Sequence, residues 1–302
     1  MLSKNSLSII AALFCATAGR AQITLNTTPT REIGWPQPLS DKPFAILNAN
    51  PNLVEGREFY NPRGIALDNS VTPPRIYVAD TNNNRILAWK DAVNFTNGKF
   101  ADLVIGQLPG DFYSTGANGP GGTGGLSTGF TSPTGLAVDQ GDLYVADSGN
   151  NRILRFRKPF AALPGQLAPD LCIGQPSFSS RTVNYPAGQV TTPTANGIAL
   201  NNGTTFTGAI TFDTQHNLWF TDAGNNRVLR YAAAVVAKGG FATTISADLQ
   251  IGQPNLTSRW PTNLPSTAAG VQTMNQLATP AAIAFDNAVP PACTSPTPMG
   301  TS

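Results

Sequence analysis

The sequence has a single histidine, His216, no run of lysine and arginine, and few charges of either sign: 19 Lys and Arg against 17 Asp and Glu, 12% of 302 residues. Each scarcity excludes something. A nucleic-acid partner is gripped by a basic stripe that displaces counterions from phosphates; none is present, so nucleic acid is not expected. One histidine cannot furnish a multi-imidazole zinc centre within one chain, and in the turn Asp213-Thr214-Gln215-His216-Asn217 it reads as a polar turn residue. The three cysteines, Cys15, Cys172 and Cys293, show no Cys-x-x-Cys spacing and form no disulfide framework. Cys172 lies in an apolar strand and reads as a buried thiol, with a Cys172–Cys293 bridge left open. Beyond the N-terminus no apolar run approaches the roughly 20 residues of a membrane helix. There is no Gly-x-Ser-x-Gly elbow, P-loop or dinucleotide fingerprint. No catalytic residue and no metal ligand are therefore assigned, and no cofactor is required. Calcium held by Asp and Asn side chains stays open without an EF-hand spacing to support it.

What the chain does have is 29 Gly and 25 Pro among many Thr and Asn, a composition for short strands joined by turns. Residues 1–21 read as a signal peptide: Lys4, an apolar stretch from Leu7 to Ala18, and the small residues around Gly19-Arg20-Ala21. Phe14 stands before Cys15 where a lipoprotein signal has a small residue. The expected location is secreted, periplasmic or extracellular. Loss of Lys4 and Arg20 leaves 17 basic residues against 17 acidic ones.

Laid against itself, the chain repeats. Residues 62–68, 75–80 and 85–90 recur as 133–139, 142–147 and 152–157, and again as 208–213, 217–222 and 227–232; a fourth apolar segment closes each unit at 102–107, 170–176 and 248–254. The second segments are apolar on both faces, as in Ile76-Tyr77-Val78-Ala79, which suits strands covered on each side. In the third, Leu87 and Trp89, Leu154 and Phe156, and Leu229 and Tyr231 share a face expected to be core. The fold class is all-β, a β-propeller of four-stranded antiparallel blades.

The ordered set Gly-Ile-Ala-Leu-Asp (64–68), Tyr-Val-Ala-Asp (77–80) and Asn-Asn-Arg-Ile (83–86), recurring three times, resembles the NHL-repeat family over roughly residues 60–286. The resemblance implies blades of four strands, usually about six to a propeller. This chain departs from it. A lead-in (22–43) is followed by Phe44–Asn48, which reads as the last strand of a preceding blade. Three complete units follow, and 280–286 begins a fourth before a Pro, Ser and Thr-rich tail (287–302). The propeller is thus expected over 44–286. A truncated product of a longer gene, self-association that completes the ring, and a small closure in which 44–48 and 281–285 share a blade are the three readings of this pattern.

Long loops precede each first strand, at 109–131, 177–192 and 255–276, and should gather on one rim. They carry Phe112, Tyr113, Arg181, Tyr185, Arg259 and Trp260, a mixture that suits recognition of a peptide or glycan or, equally, packing of the loops onto the rim. The pairs Asp80 and Arg85, Asp147 and Arg152, and Asp222 and Arg227 recur once per unit and read as hairpin structure. The expected function is a non-catalytic scaffold binding a protein, peptide or glycan. The alternative is a propeller lyase or hydrolase of the peptidyl-hydroxyglycine lyase or lactonase type with a central metal.

Overall fold

The computed structural model describes residues 33–34, 54–119, 129–163, 165–201, 207–259 and 277–286. Residues 1–21, expected as a signal peptide, the strand expected at 44–48, Trp260 and the tail lie outside them.

Three antiparallel sheets follow one another along the chain. The first has the order β1 (Gly64–Asp68), β2 (Arg75–Asp80), β3 (Arg85–Trp89) and β4 (Leu103–Ile105). The second repeats it as β5 (Pro133–Asp139), β6 (Asp142–Asp147), β7 (Arg152–Phe156) and β8 (Pro169–Ile173). The third is built from β9 (Ile210–Phe212), β10 (Leu218–Asp222) and β11 (Arg227–Tyr231). The chain then makes a short helix, α1 (Ala233–Lys238), and a two-residue strand, β12 (Gly240–Phe241), before β13 (Leu249–Ile251) completes the third sheet beside β11. β12 leaves its own sheet and pairs in parallel with β8. The architecture is that of propeller blades. No helix among the described residues is long and apolar enough to cross a membrane.

The hairpins between second and third strands share one construction. A three-residue 3-10 turn (Thr81–Asn83, Ser148–Asn150, Ala223–Asn225) is followed by an asparagine in the left-handed region: Asn84 at φ 52°, Asn151 at 50° and Asn226 at 54°. Asparagine tolerates this conformation because its short polar side chain finds local partners.

Packing explains the two-sided apolar strands. Tyr77, Ala79, Ile86 and Ala88 of the first blade meet Leu143, Val145, Leu154 and Phe156 of the second. Tyr144, Ala146 and Ile153 on the second blade's other face meet Leu218, Phe220, Leu229 and Tyr231 of the third. The third strands are accordingly buried on both faces, not only on the face of Leu87 and Trp89: β3 and β7 are buried throughout. Each fully buried Leu or Phe contributes about 2 kcal/mol.

The first strands of successive blades come closest. A β-carbon on Gly64 would stand 2.0 Å from the Thr134 carbonyl oxygen, and one on Gly135 would stand 1.9 Å from that of Gly208. Between these strand entries lies a central cavity of about 470 Å³, lined by Arg63, Ile65, Thr134, Thr207, Ile210 and Ala281 among others.

Both neighbouring units leave a trace. Leu277 packs on Gly252, as Phe130 packs on Gly106 and Ile198 on Gly174, and Phe285 sets its ring against Trp219 at 5.4 Å. Residues 281–286 are described but form no strand. Gly34 packs on Phe59 in the same manner, so Ile33-Gly34 stands where Ile105-Gly106 stands in the first blade.

Candidate binding rim

Each second strand ends on aspartate and each third strand begins on arginine, which the register places opposite one another: Asp80 with Arg85, Asp147 with Arg152, Asp222 with Arg227. In all three, Nε donates to Oδ2 at 2.7 Å and both side chains are fully buried. Asn83, Asn150 and Asn225 donate to the same oxygen at 2.8, 2.9 and 2.8 Å. The other carboxylate oxygen accepts the backbone N–H of Tyr60 (2.7 Å), Thr131 (2.8 Å) or Ala199 (2.7 Å), on the chain entering the blade. Burial pushes the Asp80 and Asp147 carboxyls up, against the pull of Arg85 and Arg152.

The rest of the guanidinium reaches the loops. Nη2 donates to the entering chain at the carbonyls of Glu58 (3.3 Å), Gly129 (2.8 Å) and Gly197 (2.9 Å). Nη1 donates to the carbonyls of Phe112, Phe178 and Leu256, on the loop leaving the fourth strand. One arginine thus ties the incoming and outgoing loops of its blade to its hairpin, a task that needs several donors in a rigid fork.

A second fastener comes from Gln107, Gln175 and Gln253, which follow the recurring Ile-Gly pair. Each donates to the carbonyl of the left-handed asparagine of its blade, at 3.2, 2.8 and 3.1 Å. Gln107 and Gln175 also hold the rim loop through Gly116 (3.0 Å) and Thr182 (2.9 Å). Sequence reasoning takes these glutamines for strand ends; the recurrence of a polar residue after Ile-Gly was the available signal.

The rim residues separate into two kinds. Tyr113 is 72% exposed and Arg181 is exposed. Phe112 packs into the first blade's apolar cluster beside Phe59 and Trp89, Tyr185 is half-buried, and Arg259 donates Nε to the Gly224 carbonyl.

A polar cleft of about 370 Å³ lies between the second and third blades, lined by Asp139, Asp142, Tyr144, Arg155, Arg157 and His216 among others. His216 turns at φ 62°, and its Nδ1 stands 2.7 Å from Asp139 Oδ1 of the neighbouring blade. Arg155 is buried and grips both oxygens of Asp170 at 2.7 Å, with Nη1 on the Val236 carbonyl at 2.9 Å. Burial raises the Asp170 carboxyl, but the hydrogen bonds of Arg155 and Arg157 outweigh it and hold the group below its usual range. The charges in this cleft are largely spent on one another, as in an inter-blade tie. Among the described residues no three His, Cys, Asp or Glu side chains converge as metal ligands do.

Residues 130–156 match the family model of the NHL repeat, spanning the entry, first, second and third strands of the second blade. No curated protein matches the chain. Among solved structures it is similar to a protein from Lactobacillus plantarum, at 15% identity and TM-score 0.35 over 65% of this chain and 43% of that one. It is also similar to a streptogramin B lyase (16%, TM-score 0.27, covering 57% and 52%). A third is a catalytically inactive virginiamycin B lyase from Staphylococcus aureus with quinupristin (16%, TM-score 0.29, covering 57% and 53%). The chain spans about half the length of these structures, and at such similarity no activity is carried over from them. One NHL repeat is matched directly, and the same residues recur on the same strands in the blades on either side, so the chain carries NHL-type repeats in propeller blades.

Proposed function

We propose that this chain is a secreted, non-catalytic NHL-repeat scaffold that binds a protein, peptide or glycan on its loop-bearing rim. The observation that carries the reading is the repeated arginine clamp: each blade's two rim loops are fixed to a buried ion pair, which lowers the ordering cost of any ligand they meet. Tyr113 and Arg181 stand exposed on those loops, and tyrosine and arginine are the side chains that concentrate binding energy at interfaces. Secretion rests on the leader formed by Lys4 and the Leu7–Ala18 stretch. The rival, a lyase or hydrolase with a central metal, would need ligands in the central cavity.

The test is a screen of peptide and glycan arrays with the wild-type chain and with the double variant Tyr113→Ala, Arg181→Ala. The reading expects a wild-type ligand that the variant binds at least about tenfold more weakly. Stoichiometric bound metal, removed together with a measurable lyase or lactonase activity, would overturn it.

A further inference from the structure

The blades differ at their outer edges. In the second, the outermost strand β8 is covered: Gly240 and Phe241 of β12 lie parallel to it, opposite Leu171 and Cys172. The Phe241 ring meets Phe178 at 4.8 Å, and the Ala242 N–H donates to the Gln175 carbonyl at 2.9 Å. This strand comes from the third blade's connection, residues 232–248.

In the first blade β4 corresponds to β8 residue for residue. Val104 faces Leu87 as Cys172 faces Leu154, and Gly106-Gln107 follows as Gly174-Gln175 does. Yet among the described residues no strand pairs with the outer edge of β4. The second blade's connection, 157–168, is shorter than 232–248 and turns at Pro159–Ala161. Between it and β4 lies a groove of about 540 Å³ lined by Leu103, Val104, Ile105, Leu108, Leu163 and Leu167, with no charged side chain among its lining residues. Leu108 and Leu163 are 57% and 63% exposed.

We propose that this groove takes an extended, uncharged peptide that adds to β4 as a parallel strand, a small residue and then an aromatic lying opposite Leu103 and Val104. An open strand edge presents a row of N–H and C=O groups to an added strand, and the side chains of that strand read the flanking apolar surface. The chain itself shows what such an edge accepts, since Gly240-Phe241 occupies the equivalent place in the second blade. The backbone carbonyls of Phe112 and Phe178 hold the same position relative to their arginine clamps, so the two blades are built alike beside this edge. The groove uses neither Tyr113 nor Arg181 and stands independently of the rim reading.

The probe is fluorescein-labelled Gly-Gly-Phe-Ala-Thr-Thr-Ile, the sequence of residues 239–245, titrated against the full chain by fluorescence anisotropy. Saturable binding is expected. Leu163→Asp should weaken it at least about tenfold, as should Leu108→Asp and N-methylation of the peptide at Phe and Ala, while Tyr113→Ala with Arg181→Ala leaves it unchanged. Both leucines are exposed, so the variants keep the fold, which circular dichroism checks. Absence of saturation overturns the proposal. So does binding that survives both aspartate variants, which would mean that the peptide has displaced β12 from β8. Loss of binding only in the rim variant also overturns it and leaves the rim reading standing.

Discussion

The side-chain carbonyl of Asn226 accepts a hydrogen bond of 2.9 Å from the backbone N–H of Thr279. Asn84 stands in the same relation to Ser132 (2.9 Å), and Asn151 to Asn201 (3.0 Å). Each of these asparagines occupies the left-handed position that closes its hairpin. One residue therefore turns the chain and ties its blade to the start of the next.

Substitution at Asn151 separates the two roles. Asn151→Gly keeps the backbone conformation and loses the link to Asn201, whereas Asn151→Ala loses both. Alanine should be less stable than glycine by about 1 kcal/mol in urea unfolding, the cost of a β-carbon at positive φ. Equal stability of the two variants would contradict the conformational role.

The close approach of first strands makes Gly135 sensitive to a single methyl group. With the Gly208 carbonyl 1.9 Å from the added carbon, backbone has to move, and Gly135→Ala should cost about 3 kcal/mol or more. Gly116→Ala, whose new carbon would meet only Asn118 Oδ1 at 3.4 Å, should be nearly neutral. Denaturant midpoints of the two variants decide the matter.

Burial pushes the Cys172 thiol up to about 12, so it is neither ionised nor accessible at neutral pH. Iodoacetamide labelling followed by peptide mapping should leave Cys172 unmodified in the folded chain and modify it fully in denaturant. Labelling of the native thiol at a rate close to that of the unfolded chain would place it outside the core.

The Asp170 carboxyl is held below its ordinary value by Arg155 and Arg157. A carboxylate with a depressed folded value contributes stability that is fully present above its unfolded value, about 3.9, and is lost as pH falls through the folded value. Asp170→Asn should therefore be less stable than wild type near neutrality and should approach it as pH drops below about 4. A stability difference independent of pH would show that the ion pairs are not its source.

The strand framework was legible because it is written locally and written three times. The second strands carry apolar residues on both faces, and Asp, Asn and Arg bracket each hairpin at fixed spacing. What escaped was tertiary. β12 is two residues long, Gly240 and Phe241, and exists only because another blade offers an edge. Arg155 sits among residues expected to alternate, yet is buried because Asp170 and the Val236 carbonyl meet it there. His216 and Asp139 lie far apart in sequence and meet only across a blade interface. On the rim, an aromatic in a long loop does not announce its direction: Phe112 packs inward while its neighbour Tyr113 points out.

One buried arginine per blade holds both rim loops. Arg152→Ala would strand the Asp147 charge and cost about 3–5 kcal/mol, so the cleaner probe is Arg152→Lys, which keeps a cation but cannot serve Asp147, Gly129 and Phe178 at once. Hydrogen–deuterium exchange of this variant, read peptide by peptide, is the most direct measurement. Exchange should be faster, by at least about tenfold, at Thr131 and over 178–184, with the hairpins of the first and third blades unchanged. Exchange identical to wild type in those segments would contradict it.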